Sequence, residues 1–316
     1  MTVSIWDPTP LPTWSPVRQR LRDDPEVLAV LEAALRAHPQ AAGHLEGLTE
    51  FRPARPSYST WFAGTWQPDG IEVLVKINVT AVERFWMTTV SGGTTGVVAR
   101  VLATDRALGD ADVSWLVMER LPYRWEPSWG KDGHTALLVA AARFQEFAAG
   151  VQGGPVNEDS VRTIWRMAAN GRDISPDAEV LIRNLPKDWA YVNKMAPSEV
   201  LFGDLHFGNA AFRTPPPDPQ AVLFDPIPRR QPWPFEPAYL EVMSGGSALV
   251  REMAEIRRKQ GRPTCEPDEV DRVAAIYCGW MALTAWGIQP GRRDDRARRE
   301  RLTTYVRNAA RLKFKR

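Results

Sequence analysis

Phe202-Gly203-Asp204-Leu205-His206-Phe207-Gly208-Asn209 is the stretch that decides how this chain reads, together with Phe224-Asp225-Pro226 a little further on. A carboxylate is followed five residues later by a carboxamide, and a second carboxylate ends the apolar run Ala221-Val222-Leu223-Phe224. Taken singly, Gly203, Gly208 and the Asx residues are turn formers between two strands. As an ordered set they match what phosphoryl transfer needs. A base accepts the proton of the attacking hydroxyl, and an Asn and an Asp hold the magnesium that neutralises charge on the β- and γ-phosphates. Asp204 is the candidate base, and Asn209 and Asp225 are the candidate metal ligands.

The protein-kinase catalytic loop has the same Asp-to-Asn spacing, with its metal-binding Asp further along. The chain resembles the aminoglycoside phosphotransferase family more closely still. That family carries His-Gly-Asp-Leu-His-x-Gly-Asn and then a hydrophobic strand ending in Ile-Asp. In its streptomycin-kinase branch the second Asp is followed by Pro and later by Pro-Ala-Tyr, here Glu236-Pro237-Ala238-Tyr239. The resemblance implies an α+β, two-lobed protein-kinase-like fold. A small β-rich N-lobe with an N-terminal helix would span 1–121, and a larger, mainly helical C-lobe with the catalytic loop and acceptor site would span 122–316. It implies magnesium as cofactor, ATP or GTP as donor, and a hydroxyl of an antibiotic-like natural product as acceptor. Two positions depart from the pattern. Phe202 stands where the family has His, and Leu240 where it tends to have Asp. The first means that the loop is braced differently, and the second leaves a stabilising carboxylate missing or replaced, with Glu236 and Glu241 as the candidates.

Lys76 sits inside the strand-like run Val73-Leu74-Val75-Lys76-Ile77, and Glu83 lies in the helical segment after it. A strand lysine held by a glutamate of the next helix is how kinases grip the α- and β-phosphates. Glu72 and Glu119 are rival partners for Lys76. Ser57, Ser59 and Thr60 lie at the first hairpin, where backbone N–H groups and hydroxyls would roof the phosphates, although the Gly-rich pattern is missing. The resemblance sets the adenine against the linker near Glu119 and Leu121. Trp125 and Trp129 after the linker, and Trp233 and Glu236 after the metal-site Asp, are candidate acceptor contacts. No Gly-x-x-x-x-Gly-Lys-Ser/Thr occurs, which excludes a Walker-type ATPase.

Along the chain, Asp24-Pro25 opens a helix to Ala37 with Leu28, Leu31 and Leu35 on one face. A hairpin follows over 57–77, turning at Gln67-Pro68-Asp69-Gly70, then a helix over 81–90 and strands over 96–102 and 113–118. Leu121-Pro122 breaks the pattern. Helices are expected over 134–151, 159–169, 177–185, 236–260, 268–286 and 294–312.

Composition narrows the class. The 316 residues are 44% hydrophobic and 25% charged, which is globular and ample for a core. A net charge of +2 argues against a nucleic-acid binder. Residues 292–316 hold 11 of 40 Lys+Arg and 3 of 38 Asp+Glu, or +8, leaving 29 against 35, or −6, elsewhere. Cys265 and Cys278 form neither a disulfide framework nor a zinc pattern. No secretory signal or membrane-length apolar run is present, so a soluble cytoplasmic protein is expected. The same fold would equally serve a metabolic kinase of a sugar or amino alcohol. A pseudokinase acting as a binding module is the remaining alternative, and the intact Lys76, Asp204, Asn209 and Asp225 weigh against it.

Overall fold

The computed structural model describes residues 25–52, 59–93, 96–110, 112–156, 175–288 and 296–312. Asp24, Ser57, the helix expected over 159–169, Asp294, and the basic residues Arg292, Arg293, Lys313, Lys315 and Arg316 lie outside them. The chain divides into two compact units at Pro122 and Tyr123.

The first unit is a five-stranded antiparallel sheet with helices. Helix α1 (Pro25–Ala37) buries Leu35 in the sheet's core, with Leu28 and Leu31 packed beside it. Strands β1 (Leu45–Glu50), β2 (Thr60–Trp66) and β3 (Ile71–Ile77) lead to helix α2 (Ala81–Ser91), then β4 (Val101–Asp105) and β5 (Trp115–Glu119). Their order is β1-β2-β3-β5-β4, which puts β3 in the middle. Strand side chains alternate between faces. Val73, Val75 and Ile77 therefore enter the core with Phe62, Trp115 and Val117, while Lys76 points the other way.

Two expectations for this unit change. Strand β1 has no counterpart in the sequence reading. Its pairing with β2 shifts register between Glu46 and Thr49, and its buried residues, Leu45 and Leu48, are three apart. A bulge of this kind removes the period of two by which a strand is recognised. The strand expected at 96–102 begins at Val101. Val97, Val98 and Ala99 are buried outside any strand, with a single bridge at Val98, so their run of apolar residues reflects burial more than a ladder.

The second unit is mainly helical. Helix α3 (Gly130–Ala149) and helix α4 (Pro176–Met195) precede four short strands, β6 (Ser198–Leu201), β7 (Ala210–Phe212), β8 (Ala221–Leu223) and β9 (Arg229–Pro232). Helices α5 (Phe235–Ser244), α6 (Leu249–Lys259), α7 (Pro267–Ile288) and α8 (Arg296–Ala310) close the unit. The single helix expected over 236–260 is two. Gly245 ends α5 at φ 82, a left-handed value that favours glycine. Glu241 of α5 then accepts the Leu249 N–H at 2.8 Å and so satisfies a free donor at the start of α6. Both cysteines are buried free thiols. Among the described residues no helix is long and apolar enough to cross a membrane.

Candidate active site

In the second unit β6 pairs with β9 and β7 with β8, and residues 202–209 cross from one ladder to the other. Gly203 makes the crossing possible. Its φ is 91, and a Cβ there would sit 1.8 Å from the Ile227 carbonyl oxygen. The approach is fixed by the Ile227 N–H, which donates to the Phe202 carbonyl at 3.0 Å. Phe202 is fully buried, edge-on to Phe144 at 5.4 Å. It anchors the loop by packing and offers no polar side chain. The polar brace is Glu236, whose Oε1 accepts the Gly203 N–H at 2.7 Å and whose carboxylate also takes a backbone bond from Phe202.

Asp204 is held at both oxygens. Tyr239 donates its hydroxyl to Oδ1 at 2.9 Å, and Asn209 donates Nδ2–H to Oδ2 at 2.9 Å and to the Asp204 carbonyl at 3.1 Å. His206 Nδ1 accepts the Gly208 N–H at 2.9 Å. A backbone N–H only donates, so the ring proton lies on Nε2, which is 3.5 Å from Asp204 Oδ2. Burial pushes the Asp204 carboxyl up, but the contacts with His206 and Tyr239 and the charge of Arg229 more than offset it, and its pKa lies below the ordinary value. Asp204 is thus ionised and aimed, a weak base with a fixed direction.

The β7–β8 ladder brings the segment that carries the second acid alongside the end of the loop. Ala210 pairs with Leu223, and the Phe224 N–H donates to the Asn209 carbonyl at 3.0 Å. The next residue, Asp225, takes a left-handed φ of 64. That conformation is uncommon outside glycine and is found at sites where side-chain direction matters. With its N–H groups turned to Asp204, Asn209 has Oδ1 as its remaining polar atom. Asn209 Oδ1 and the Asp225 carboxylate are hard oxygen donors, the kind magnesium takes. Among the described residues no cluster of three or more His, Cys, Asp or Glu could hold a metal. Two protein ligands suit magnesium, which usually keeps waters and substrate phosphates as its other ligands.

In the first unit, Lys76 Nζ meets Glu83 Oε1 at 2.6 Å, and both residues are buried. Thr80 caps α2 by accepting the Glu83 N–H at 3.1 Å, which fixes where Glu83 starts along the helix. Trp61, opposite Lys76 across the β2–β3 ladder, lays its ring 5.1 Å from the ammonium. Of the rival acids, Glu72 is exposed and Glu119 accepts the Arg100 N–H at 2.8 Å. The Glu119 and Arg120 N–H groups donate to the Arg100 and Glu72 carbonyls, so Leu121 has the next backbone N–H along the chain. Ser59 is buried and donates its hydroxyl to the Asn78 carbonyl at 3.1 Å, while Thr60 opens β2 half-buried.

The four acceptor candidates separate. Trp125 stacks on Phe207 of the 202–209 loop at 4.1 Å, and Trp129 meets Phe212 of β7 edge-on at 4.7 Å. Both are half-buried. Trp233 and Glu236 need correcting. Trp233 is fully buried beneath the Arg257 guanidinium, 5.2 Å from its ring. Glu236 is 0% exposed, with Oε2 taken by Gln145 Nε2–H at 2.7 Å, so it supports the loop and does not line an acceptor pocket. Burial raises its pKa to about 7. The roles of Tyr239 and His206 went unread, although both stand in the motifs that mark the site. Gln145, in the middle of an Ala-rich helix, carried no sequence signal.

No family model and no curated protein matches the chain in sequence. Its fold matches solved structures over most of its length. A microcompartment-associated aminopropanol kinase aligns over 90% of this chain and 95% of its own, at 11% identity and a TM-score of 0.59. A choline/ethanolamine kinase family protein from Mesorhizobium loti aligns over 90% and 98%, at 15% identity and 0.58. A thermostable variant of the aminoglycoside phosphotransferase APH(4)-Ia, in ternary complex with AMP-PNP and hygromycin B, aligns over 90% and 100%, at 12% identity and 0.55. At such identities the likeness is one of fold, and it does not single out the streptomycin-kinase branch.

Proposed function

We propose that this chain, which has the fold shared by those small-molecule kinases, moves the γ-phosphate of ATP or GTP to a hydroxyl of a small molecule. One observation carries the reading: Asp204 is held at both carboxylate oxygens, within a loop whose last residue, Asn209, accepts at its backbone carbonyl from Phe224, the residue before Asp225. Asp204 orients the acceptor hydroxyl and takes its proton as the bond to phosphorus forms. In a loose transition state that orientation counts for more than basicity, which suits a carboxyl of lowered pKa. Asn209 and Asp225 would hold magnesium. Bound there, it would offset charge developing on the β- and γ-phosphate oxygens. In the first unit, Lys76, steered by Glu83, binds the α- and β-phosphates. Thr60, with Ser57 and Ser59, belongs to the phosphate-covering hairpin, and the Glu119–Leu121 backbone takes the base.

For the acceptor we favour a weakly charged antibiotic-like natural product, with Trp125 and Trp129 as the aromatic surfaces. Enzymes that take polycations need free acids near the acceptor. Helix α5 carries two, and both are occupied: Glu236 by Gly203 and Gln145, and Glu241 by the Leu249 N–H and the Tyr305 hydroxyl. Basic α8 lies against the end of α5, where Arg301 Nη1 is 2.9 Å from the place of a Cβ on Gly245. Like charge there opposes an ammonium. The second reading, an amino-alcohol kinase, draws on the aminopropanol and choline/ethanolamine kinases among the structural neighbours.

The test is an acceptor panel read by a mass gain of one phosphate, run with wild type and Asp204→Ala. Wild type should transfer phosphate to neutral glycosides or nucleosides. The variant should lose about 10²–10⁴-fold in turnover while still binding nucleotide. A variant that keeps more than about a tenth of wild-type turnover, outside that range, refutes the role of Asp204. Higher kcat/KM for ethanolamine or a polyamine aminoglycoside than for neutral acceptors refutes the acceptor class alone.

A further inference from the structure

Behind Glu236 runs a chain of buried polar groups that the transfer chemistry does not itself touch. Gln145 of α3 is fully buried and donates Nε2–H to Glu236 Oε2 at 2.7 Å. Its Oε1 accepts from Arg257 Nη1 at 2.7 Å and from Arg262 Nη1 at 3.3 Å. Arg257 of α6 is 1% exposed, donates Nε–H and Nη2–H to the Pro263 carbonyl, and pairs with Glu199 at 2.6 Å. Arg262 holds the other oxygen of Glu199. The amide of Gln145 has only one workable orientation here. Flipped, it would point its N–H groups at two guanidinium ions and its oxygen at a carboxylate. Direction therefore passes from Arg257 through Gln145 and Glu236 to the N–H of Gly203, the residue before Asp204.

We propose that Gln145 and Arg257 are positioning residues for phosphoryl transfer: Arg257 fixes the polarity of Gln145, which keeps Glu236 aimed at the Gly203 amide and so sets the direction of Asp204. This rests on the reading of Asp204 as the residue that orients the acceptor. A half-satisfied buried network costs more than either a complete one or none. The sequence supplies this completion from helices far from the loop, where Phe202 offers no polar group.

An exchange of the two side-chain chemistries tests it. Glu236→Gln alone sets a carboxamide N–H against the N–H of Gln145. Gln145→Glu alone sets carboxylate against carboxylate. The double variant restores the pairs with Gly203, between 236 and 145, and with Arg257, at unchanged net charge. The carboxamide at 236 accepts from Gly203 and donates to the carboxylate at 145, which takes Arg257. Each single change should lower kcat by about 10²-fold, the cost of a misplacement near 1 Å, with nucleotide KM unchanged. The double variant should recover to within about tenfold of wild type, most of that loss. Hydrogen exchange at the Gly203 amide should quicken in the single variants and slow again in the double. Single variants that fail to fold beside a folded, active double variant also support the relay. A double variant that is unfolded, or no better than the worse single, overturns it. So do single variants with wild-type kcat and wild-type exchange at Gly203. If wild type phosphorylates no acceptor, the kinase reading fails, and Gly203 exchange still decides the relay on its own.

Discussion

Gly203→Ala is the sharpest test of how the 202–209 loop is built. The new Cβ would lie 1.8 Å from the Ile227 carbonyl oxygen and 2.7 Å from its carbon, both backbone atoms that cannot rotate away. Reaching the 3.0 Å that real Cβ contacts keep requires the two segments to part by about 1.2 Å. That motion strains two short bonds, Ile227 N–H to the Phe202 carbonyl at 3.0 Å and Gly203 N–H to Glu236 at 2.7 Å. Leaving a buried group unpaired costs about 1–3 kcal/mol each, and a left-handed φ on alanine adds roughly 1–2 kcal/mol. The total, about 3–8 kcal/mol, is a large share of the about 5–15 kcal/mol that holds a typical protein together. Asp204, next in the chain, moves with the loop, and about 1 Å there costs on the order of 10²-fold in turnover. Urea denaturation followed by tryptophan fluorescence measures the first effect, and steady-state kinetics with a fixed acceptor measures the second. A variant within about 1 kcal/mol of wild type, no more than one unpaired buried group costs, and within threefold in kcat would show that the loop does not depend on this approach.

Three further outcomes are expected. Lys76→Met should raise nucleotide KM and destabilise by about 3–5 kcal/mol, because it leaves Glu83 buried without its cation; Lys76→Met with Glu83→Met should unfold at higher urea than Lys76→Met alone, and the reverse order would contradict the buried pair. Tyr239→Phe removes a bond that lowers the Asp204 pKa, so the acid limb of the kcat profile should move to higher pH, with a fall of about tenfold for a bond to a charged group; an unmoved limb would detach Tyr239 from Asp204. Burial raises the Asp188 pKa from 3.8 to about 6, with Arg272 partly opposing it. Wild type should therefore lose stability as pH rises from near 3.8 through 6, by roughly 3 kcal/mol at 1.36 kcal/mol per pH unit. Asp188→Asn should not lose it, and a wild-type minus variant difference that stays flat in urea midpoints across this range would refute that linkage.

What the sequence disclosed and what it withheld divide along a physical line. The loop from Phe202 to Asn209 and the acid at Asp225 were legible as a motif because they are nearly contiguous: one short crossing and one hairpin carry them. Lys76 was legible because the strand period of two separates it from Val73, Val75 and Ile77. Strand β1 was lost to a bulge, and the α5–α6 break was misread although Gly245-Gly246 marks it. Trp233 and Glu236 were misassigned for a different reason. Nearness to Asp225 along the chain suggested an acceptor wall, whereas side-chain direction is set by packing, and both turn inward. Phe202 nonetheless contained the clue. An apolar ring at that position leaves the loop amides to be satisfied from elsewhere, and the group that takes them, Glu236, is then buried. A buried carboxylate with an oxygen to spare needs a donor, which is Gln145. A buried amide that donates on one side needs a donor at its oxygen on the other, which Arg257 supplies. Each pairing removes the cost of an unpaired buried group, yet no spacing in the sequence could say which distant helices would provide the partners.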